Sequence, residues 1–266
     1  MIRIIVTGAC GRMGKAVLSA AFSDPDIEVV GAVEIKGHPS VGKDSKEVSF
    51  VGQNGVTISD DLANVIGKGD VLIDFTNANS SMENFTVASR EGKPAVIAST
   101  GFSDSQFETI LKLSQAVPCV LSPNMSVGMN ILFKLVEDIT RIVEDEYDVE
   151  IVEAHHRGKK DSPSGTALRL AEIVSDRRRM KGQDHLIFGR KGLVGERKRG
   201  EIGVMAVRAG DIVGDHTVMF GGIGERIEIT HRAHSRENFA QGALKAAKWV
   251  VNKSDGLFSM KEVLGL

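Results

Sequence analysis

Short apolar runs alternate with helical segments through the first 122 residues, and this alternation constrains the fold more than any other feature. The runs are rich in valine and isoleucine, as expected of strands buried on both faces of a parallel sheet. The predicted strands are 2–7, 27–33, 56–59, 71–75, 95–98 and 119–121, and the predicted helices are 11–21, 79–91 and 104–116. The pattern predicts an α/β unit in which helices cover both faces of a parallel sheet.

After Tyr147 the predicted elements change from alternating strands and helices to mostly strands. A long helix at 127–143 precedes this point, with apolar residues near helical spacing. Beyond it the predicted strands are 149–154, 202–208, 215–220 and 226–231, with one strong helix among them at 165–178. A run of strands with few helices predicts a separate α+β domain with an open mixed sheet.

These patterns predict two domains. The first is 1–125, joined by the closing segment 236–266, whose helix 236–251 is expected to pack on it. The second is 126–235, in which the basic, glycine-containing stretch 181–199 is expected to be a long surface loop.

Composition excludes several classes of protein. The 266 residues carry a formal net charge of −2 and only 5% are aromatic, so neither nucleic acid nor a membrane surface is an expected partner. Cys10 and Cys119 match no metal or disulfide spacing, and no bound metal is predicted. The first residues run straight into a strand pattern, and no apolar run reaches transmembrane length. We therefore expect a soluble, cytoplasmic protein.

Three glycines follow the first predicted strand and open the first helix. Gly8 would allow a tight turn, Gly11 the close approach of a pyrophosphate, and Gly14 close packing of helix on strand. Their GxxGxxG spacing is a weak signal alone, but Glu34 ends the second strand, where an acid binds an adenosine ribose. Together they predict a Rossmann-type dinucleotide-binding domain. The predicted cofactor residues in this loop are Gly8, Ala9, Cys10, Gly11, Arg12 and Met13.

Glu34 also bears on the choice of cofactor. A carboxylate accepts hydrogen bonds from ribose hydroxyls and repels a 2′-phosphate, which favours NADH. Lys36 and Arg12 are near enough in sequence to offset part of this repulsion, although a hydrated turn lysine explains Lys36 equally well. The sequence therefore predicts NADH as the favoured cofactor, or the use of both NADH and NADPH.

Two further loops follow predicted strands at the sheet edge where ligands bind in open α/β folds. Small and polar residues there suit the nicotinamide ribose and carboxamide, although each loop alone would be ordinary turn chemistry. The predicted cofactor residues are Ala98, Ser99 and Thr100 in one loop, and Ser122, Pro123, Asn124 and Met125 in the other.

A titratable loop follows the strand 149–154. His155 and His156 can exchange protons near neutral pH, and Lys159 and Lys160 are equally plausible proton donors. Adjacent strand residues point to opposite faces, so the two histidines are poor joint metal ligands. A solvated basic loop is the alternative interpretation.

Against that alternative stands the segment 162–166, Ser-Pro-Ser-Gly-Thr, which opens a predicted helix and offers N–H groups to an anion. The pairing of this segment with the titratable loop predicts a small, negatively charged substrate that gains or loses a proton.

Taken together, these motifs resemble those of a known family along essentially the whole chain. The motifs that carry the resemblance are VTGACGRMG, Val33-Glu34, Asp74-Phe-Thr76, Ser99-Thr-Gly-Phe102, Asn124-Met-Ser-Val-Gly128, Glu153-Ala-His-His156, Ser162-Pro-Ser-Gly-Thr-Ala167 and Arg208-Ala-Gly-Asp-Ile-Val-Gly214. They are similar to those of the 4-hydroxy-tetrahydrodipicolinate reductase family of bacterial lysine and diaminopimelate biosynthesis. The glycine loop is generic, whereas EAHH…K…SPSGTA is highly specific.

The resemblance implies the reduction of a cyclic dicarboxylate by NADH or NADPH, in a homotetramer assembled through the sheets of the second domain. It implies that His155 is the acid/base and Lys159 a proton donor, which leaves Lys160 without a role. It further implies that His156 binds the substrate carboxylate with Ser164, Gly165 and Thr166. The chain departs from some members at Ile35, where they carry an arginine that can meet a 2′-phosphate, and this departure puts use of NADPH in doubt.

Two other functions fit parts of the sequence. Another two-domain dehydrogenase, such as an aspartate dehydrogenase-like enzyme, would explain the glycine loop and Glu34 but not the anion-binding turn beside two histidines. A non-catalytic NAD-binding sensor would have no need for that cluster.

Overall fold

A parallel sheet of seven strands organises the N-terminal part of the chain in the computed structural model, which describes residues 1–49 and 55–266. Its strands are β1 (Ile2–Thr7), β2 (Ile27–Val33), β3 (Ile58–Ser59), β4 (Val71–Asp74), β5 (Ala95–Ile97), β6 (Cys119–Leu121) and, much later in the chain, β12 (Leu257–Phe258). They lie in the order β12-β6-β5-β4-β1-β2-β3. The prediction of a parallel sheet of the Rossmann type is confirmed.

The sheet is buried on both faces, which explains its continuous apolar strands. Alternate residues of β1 enter different cores, since Ile4 and Val6 lie in one apolar cluster and Ile5 lies in the other. The helices associated with this sheet are α1 (Arg12–Phe22), α2 (Ser45–Ser49), α3 (Ala78–Arg90), α4 (Asp104–Leu113), α7 (Glu237–Val250) and α8 (Met260–Leu264).

Small residues let α7 approach the rest of this unit closely. Ala240, Ala243 and Ala247 are fully buried, and a Cβ at Gly242 would lie 1.7 Å from the carbonyl oxygen of Met125. The closing segment therefore completes the core of the parallel sheet, and β12 extends that sheet beside β6.

A second sheet has five strands in the order β11-β10-β7-β9-β8. These are β7 (Asp148–His155), β8 (Leu186–Ile187), β9 (Ile202–Arg208), β10 (Gly214–Gly221) and β11 (Arg226–Ala233), and the unit adds helices α5 (Val127–Val143) and α6 (Gly165–Arg177). Strand β10 is antiparallel to β7 and β11, whereas β9 is parallel to β7 and β8. The prediction of an open mixed sheet is confirmed.

The prediction of a loop throughout 181–199 is wrong at Leu186–Ile187, which pairs with the start of β9. A two-residue edge strand is too short to show the alternation by which a strand is recognised in a sequence.

Contacts divide the described chain into two units, 1–127 with 236–266, and 128–235. No helix among the described residues is long and apolar enough to cross a bilayer.

Candidate active site

The glycine loop after β1 forms a tight turn against the start of α1. Gly8 has φ +67°, a conformation that favours glycine, and its carbonyl accepts a hydrogen bond from the N–H of Gly11 at 3.0 Å. A Cβ at Gly14 would lie 2.1 Å from that same carbonyl oxygen. The predicted roles of Gly8 in the turn and of Gly14 in helix packing are therefore borne out by the geometry.

Glu34 lies beside this loop. Its Oε2 accepts a hydrogen bond from the N–H of Cys10, and its Oε1 accepts one from the N–H of Ile35, both at 2.9 Å. The carboxylate is thus fixed between the end of β2 and the glycine turn, with lone pairs left for further donors.

A cleft of about 640 Å³ opens next to Glu34. Of the predicted cofactor residues, Gly8, Cys10, Gly11, Glu34 and Lys36 line it. Ala9 is fully buried, and its N–H is donated to the carbonyl of Val33 at 3.1 Å. Arg12 and Met13 begin α1, outside the lining. A carboxylate facing a glycine turn fits the adenosine ribose and pyrophosphate of a dinucleotide.

The other predicted cofactor loops follow β5 and β6. Their residues do not line the cleft, and within them Met125 is 1% exposed. The Oγ of Ser122 donates to the carbonyl of Asn124 at 2.9 Å, and its N–H donates to the carbonyl of Ile97 at 3.1 Å. The loop after β6 is therefore held against the end of β5.

A buried carboxylate, Asp74, anchors the neighbouring loops, and no role was predicted for it. It is 0% exposed and accepts hydrogen bonds from Thr76 (N–H 2.8 Å, Oγ1 2.6 Å), Ser81 (2.8 Å), Ser99 (3.5 Å) and Asn84 (2.7 Å). Ser81 also bonds to Ser99 at 2.7 Å. This network ties Thr76, which lines the cleft, to the predicted loop 98–100.

In the second unit, β7 places polar side chains on its core-facing side. Val149, Ile151 and Glu153 are all 0% exposed, so Glu153 occupies the next position in an apolar alternation of period two. His155 is two residues further along, so Glu153 and His155 lie on the same face of the strand. A buried carboxylate such as that of Glu153 must be paired or hydrogen-bonded.

Glu153 binds three groups. Arg208 donates two hydrogen bonds to it, at 2.8 and 2.7 Å, and the N–H of Ser164 donates one at 3.0 Å. Its Oε2 lies 2.6 Å from Nδ1 of His155. A carboxylate can only accept, so Nδ1 of His155 carries a proton and donates it in this hydrogen bond. Nε2 is therefore the ring atom that can exchange a proton.

Burial and hydrogen bonding act in opposite directions on the pKa of each member of the Glu153–His155 pair. Burial raises the pKa of Glu153, but the hydrogen bonds from Arg208 and His155 outweigh burial and hold it below its usual value. Burial lowers the pKa of His155, and although Glu153 raises it, the net direction is downward. Burial thus favours the neutral form of His155 and Glu153 favours the charged form, the two forms between which a proton-exchanging residue must pass.

His155 faces two residues that lie far from it in sequence. A Cβ at Gly214 would lie 3.0 Å from Nε2 of His155, so glycine leaves that nitrogen unobstructed. The ring of His216 meets the ring of His155 edge to face, with centroids 5.2 Å apart. The sequence assigned no catalytic or binding role to His216, which is 4% exposed and lies in the cluster.

The two lysines differ in environment. Lys159 is 21% exposed and its Nζ lies 2.8 Å from Oδ2 of Asp161, whereas Lys160 is exposed. His156 follows the end of β7 and its carbonyl accepts the N–H of Lys159 at 3.1 Å. The structure thus distinguishes two lysines that the residue types alone left equivalent.

Ser164 caps α6. Its Oγ accepts the N–H of Ala167 at 3.2 Å, and Gly165 and Thr166 occupy the first two helical positions. The helix N-terminus favours a negative charge. The Glu153–His155 pair beside this terminus is therefore suited to acid/base chemistry on an anion.

Comparison with known proteins agrees with this geometry. Residues 2–125 match the family described as dihydrodipicolinate reductase, N-terminus, and residues 128–264 match its C-terminus. The chain belongs to the dihydrodipicolinate reductase family. It is an oxidoreductase that uses a nicotinamide dinucleotide.

Other members of the family are similar to this chain over essentially their full length. The 4-hydroxy-tetrahydrodipicolinate reductase of Syntrophus aciditrophicus is 50% identical over 100% of this chain and 99% of the relative, and that of Geotalea uraniireducens is 49% identical over 100% of both. A dipicolinate-bound dihydrodipicolinate reductase from Paenisporosarcina sp. TG-14 has the same fold, with a TM-score of 0.78, 24% identity and 98% coverage of each chain.

Proposed function

We propose that this chain catalyses the NAD(P)H-dependent reduction of 4-hydroxy-tetrahydrodipicolinate to tetrahydrodipicolinate, with loss of water, in lysine and diaminopimelate biosynthesis. Family membership supports the reaction class. The observation that carries the proposal is the Glu153–His155 pair, at 2.6 Å, beside the capped N-terminus of α6. This arrangement joins a proton-exchanging group to a site for a carboxylate.

The first unit would hold the dinucleotide, which supplies the hydride when bound. Gly8 and Gly11 leave room for the pyrophosphate, and Glu34 accepts hydrogen bonds from the adenosine ribose. The loops 98–100 and 122–125 would hold the nicotinamide half, with Asp74 fixing the first of them through Ser99.

The second unit would hold the substrate and manage its protons. His155 supplies from Nε2 the proton with which the substrate hydroxyl leaves as water, and its neutral form persists afterwards because its Nδ1–H donates to Glu153. Lys159 stabilises the negative charge that hydride addition builds on the ring, and it quenches this charge by supplying a proton in place of the one that the ring lost on dehydration. His156, Ser164 and the N–H groups of Gly165 and Thr166 bind a substrate carboxylate.

Cofactor preference depends on Glu34 and on the turn that follows it. The carboxylate disfavours a 2′-phosphate, while Lys36 and His38 line the same cleft and can bind one. The N–H of Ser40 donates to Nδ1 of His38 at 3.2 Å, so Nε2–H is available as a donor even in the neutral ring. We therefore propose use of both cofactors with NADH favoured.

We also propose a homotetramer assembled through the second sheet. Val152, Met205, Val207 and Met219 lie on the face of this sheet opposite its core and are partly or well exposed. A second copy of the sheet would bury this apolar strip. Sedimentation should give the mass of four chains, and a monomer would contradict the assembly.

The reaction is tested by following NADH absorbance with freshly coupled aspartate semialdehyde, pyruvate and the upstream synthase. Rapid, substrate-dependent oxidation is expected. Oxidation with oxaloacetate and ammonia alone would favour the aspartate dehydrogenase alternative, and oxidation with neither would favour the sensor.

Two variants test the proposed roles. His155→Gln and Lys159→Ala should each lower kcat roughly 100-fold or more while the Kd for NADH stays unchanged, because a positioned acid typically contributes at least this much. Lys160→Ala is the matched control and should keep wild-type turnover. Equal losses at Lys159 and Lys160 would contradict the assignment.

A further inference from the structure

His216 is a polar side chain on the core-facing side of β10. Gly214, His216, Val218 and Phe220 alternate as the buried residues of that strand, so His216 stands where an apolar residue would otherwise pack. Its Nε2 lies 3.1 Å from Oγ of Ser164, the residue that caps α6. Its Nδ1 is buried and has no hydrogen-bond partner among the described residues.

The missing partner at Nδ1 fixes the tautomer. If Nδ1 carried the proton, the structure would contain a buried N–H donor with no acceptor, which native proteins rarely tolerate. With the proton on Nε2, the ring instead donates to Ser164 and leaves only an acceptor unsatisfied. The Nε2–H form is therefore the favoured neutral state.

This tautomer determines where the hydroxyl proton of Ser164 points. Its oxygen has two acceptor positions, and the N–H of Ala167, at 3.2 Å, uses one. Nε2–H of His216 uses the other. The hydroxyl group must then donate its own proton to a third group, and the N-terminus of α6 favours an anion there.

His216 stays neutral while its neighbours titrate. Burial, and then the charge of nearby His155, lower the pKa of His216 to about 3, against a smaller opposing effect of Glu153. His231 and Lys159 also lower it. Protonation of His155 therefore leaves the hydrogen bond between His216 and Ser164 unchanged.

We propose that His216 is a positioning residue for substrate binding: its Nε2–H occupies Ser164 Oγ and turns the serine hydroxyl proton outward to a carboxylate of the substrate. This inference rests on the proposed function, since the anion is taken to be the dicarboxylate substrate. His216 touches neither substrate nor cofactor in this scheme, and acts only through Ser164.

The test exploits the fact that glutamine can place an N–H near the Nε2 position of histidine, whereas asparagine cannot reach it. Dipicolinate, a planar dicarboxylate, is titrated calorimetrically into the NADH-loaded enzyme. His216→Asn should weaken dipicolinate binding about tenfold, as expected for one lost hydrogen bond, and His216→Gln should restore most of it. KM for the substrate should rise similarly in His216→Asn, with kcat nearly unchanged.

His185→Asn is the matched control. His185 also bonds a serine of α6, since its Nε2 lies 2.7 Å from Oγ of Ser175, but this pair is at the far end of the helix. Its loss should leave dipicolinate binding at the wild-type value. Unchanged binding in His216→Asn, or equal weakening in His185→Asn, would overturn the proposal.

Nitrogen NMR of the wild-type imidazoles gives a second test that needs no variant to fold. Nδ1 of His216 should be unprotonated and Nε2 protonated throughout the neutral pH range; a protonated Nδ1 would overturn the proposal. Failure of the role of His216 can be distinguished from failure of the proposed function. If the wild-type enzyme turns over its substrate but the NMR or variant result is negative, only the role of His216 fails, whereas an inactive wild-type enzyme refutes the proposed function.

Discussion

Replacing Glu153 by glutamine is the sharpest test of the acid/base cluster. The carboxylate accepts two hydrogen bonds from Arg208, one from the N–H of Ser164 and one from His155. An amide has one acceptor oxygen and one donor nitrogen, so in Glu153→Gln the new NH₂ group must face at least one of these donors. In either orientation of the amide, Arg208 loses one of its two hydrogen bonds. The NH₂ group is expected to face His155, because an imidazole can accept at Nδ1 whereas the N–H of Ser164 cannot accept.

The size of the effect follows from burial. Glu153 is 0% exposed and Arg208 is 20% exposed, and removing one partner of a buried pair costs roughly 3–5 kcal/mol. Because Arg208 retains some solvent and the carbonyl of Asp161, at 2.7 Å, we expect a loss near 3 kcal/mol in the free energy of unfolding. With His155 no longer held in one tautomer, kcat should fall about 100-fold.

The pH profile identifies the cause of that fall. Glu153 raises the pKa of His155 against the larger, opposing effect of burial, so removing the carboxylate lowers this pKa further. If protonated His155 is the acid, kcat falls as pH rises through its pKa. This descending limb should therefore move to lower pH in Glu153→Gln.

Glu150→Gln is the matched control. Glu150 lies on the same strand and is hydrogen-bonded by Arg190 and Arg197, but it is 24% exposed and its alternation places it on the other face of the sheet. Urea unfolding and a pH series of NADH oxidation compare both variants with wild type. An unshifted limb in Glu153→Gln, or an equal loss of kcat in Glu150→Gln, would refute the reasoning.

Two further predictions concern the dinucleotide unit. Glu34→Ala should raise the Kd for NADH, measured by cofactor fluorescence, more than the Kd for NADPH, because it removes a ribose acceptor in both cases but a repulsive charge only for NADPH; equal effects would place Glu34 outside the ribose site. Gly14→Ala should lower the free energy of unfolding by at least about 1–3 kcal/mol in urea titrations, since its Cβ would meet the carbonyl of Gly8 at 2.1 Å. Gly11→Ala is the control, with a milder approach of 3.2 Å to that oxygen, and an equal loss of stability in both would contradict the packing role of Gly14.

The parallel sheet could be predicted from the sequence because its signals are local. Each strand from β1 to β6, except the two-residue β3, contains an apolar run that is recognisable together with its flanking residues. The glycine at position 8 likewise predicts the turn that follows β1. Strand β12 was missed, because two residues that pair with β6 from far along the chain carry no such signal.

The supporting half of the acid/base cluster was not predicted, because it depends on strand pairing. His155 and His156 stand in one loop, but Arg208 and His216 reach Glu153 and Ser164 only through the registers of β9 and β10 with β7. One signal was available: Glu153 and His216 each continue an apolar alternation in their strands. A polar residue at a core-facing position must find partners, and that rule would have marked both.

The discontinuous first unit has a consequence for synthesis on the ribosome. Its main core contains Ala240, Ala243, Leu244, Val250 and Met260, and its sheet gains an edge strand only with Leu257–Phe258. The dinucleotide half, although translated first, cannot complete this core until the last thirty or so residues emerge, whereas the core on the other face of its sheet is formed by residues from Ile5 to Cys119. The second unit, 128–235, has its own core and can fold before the first unit is complete. Until then, a nascent chain exposes the face of the parallel sheet that α7 will cover. This exposed apolar face is what a chaperone would bind during synthesis.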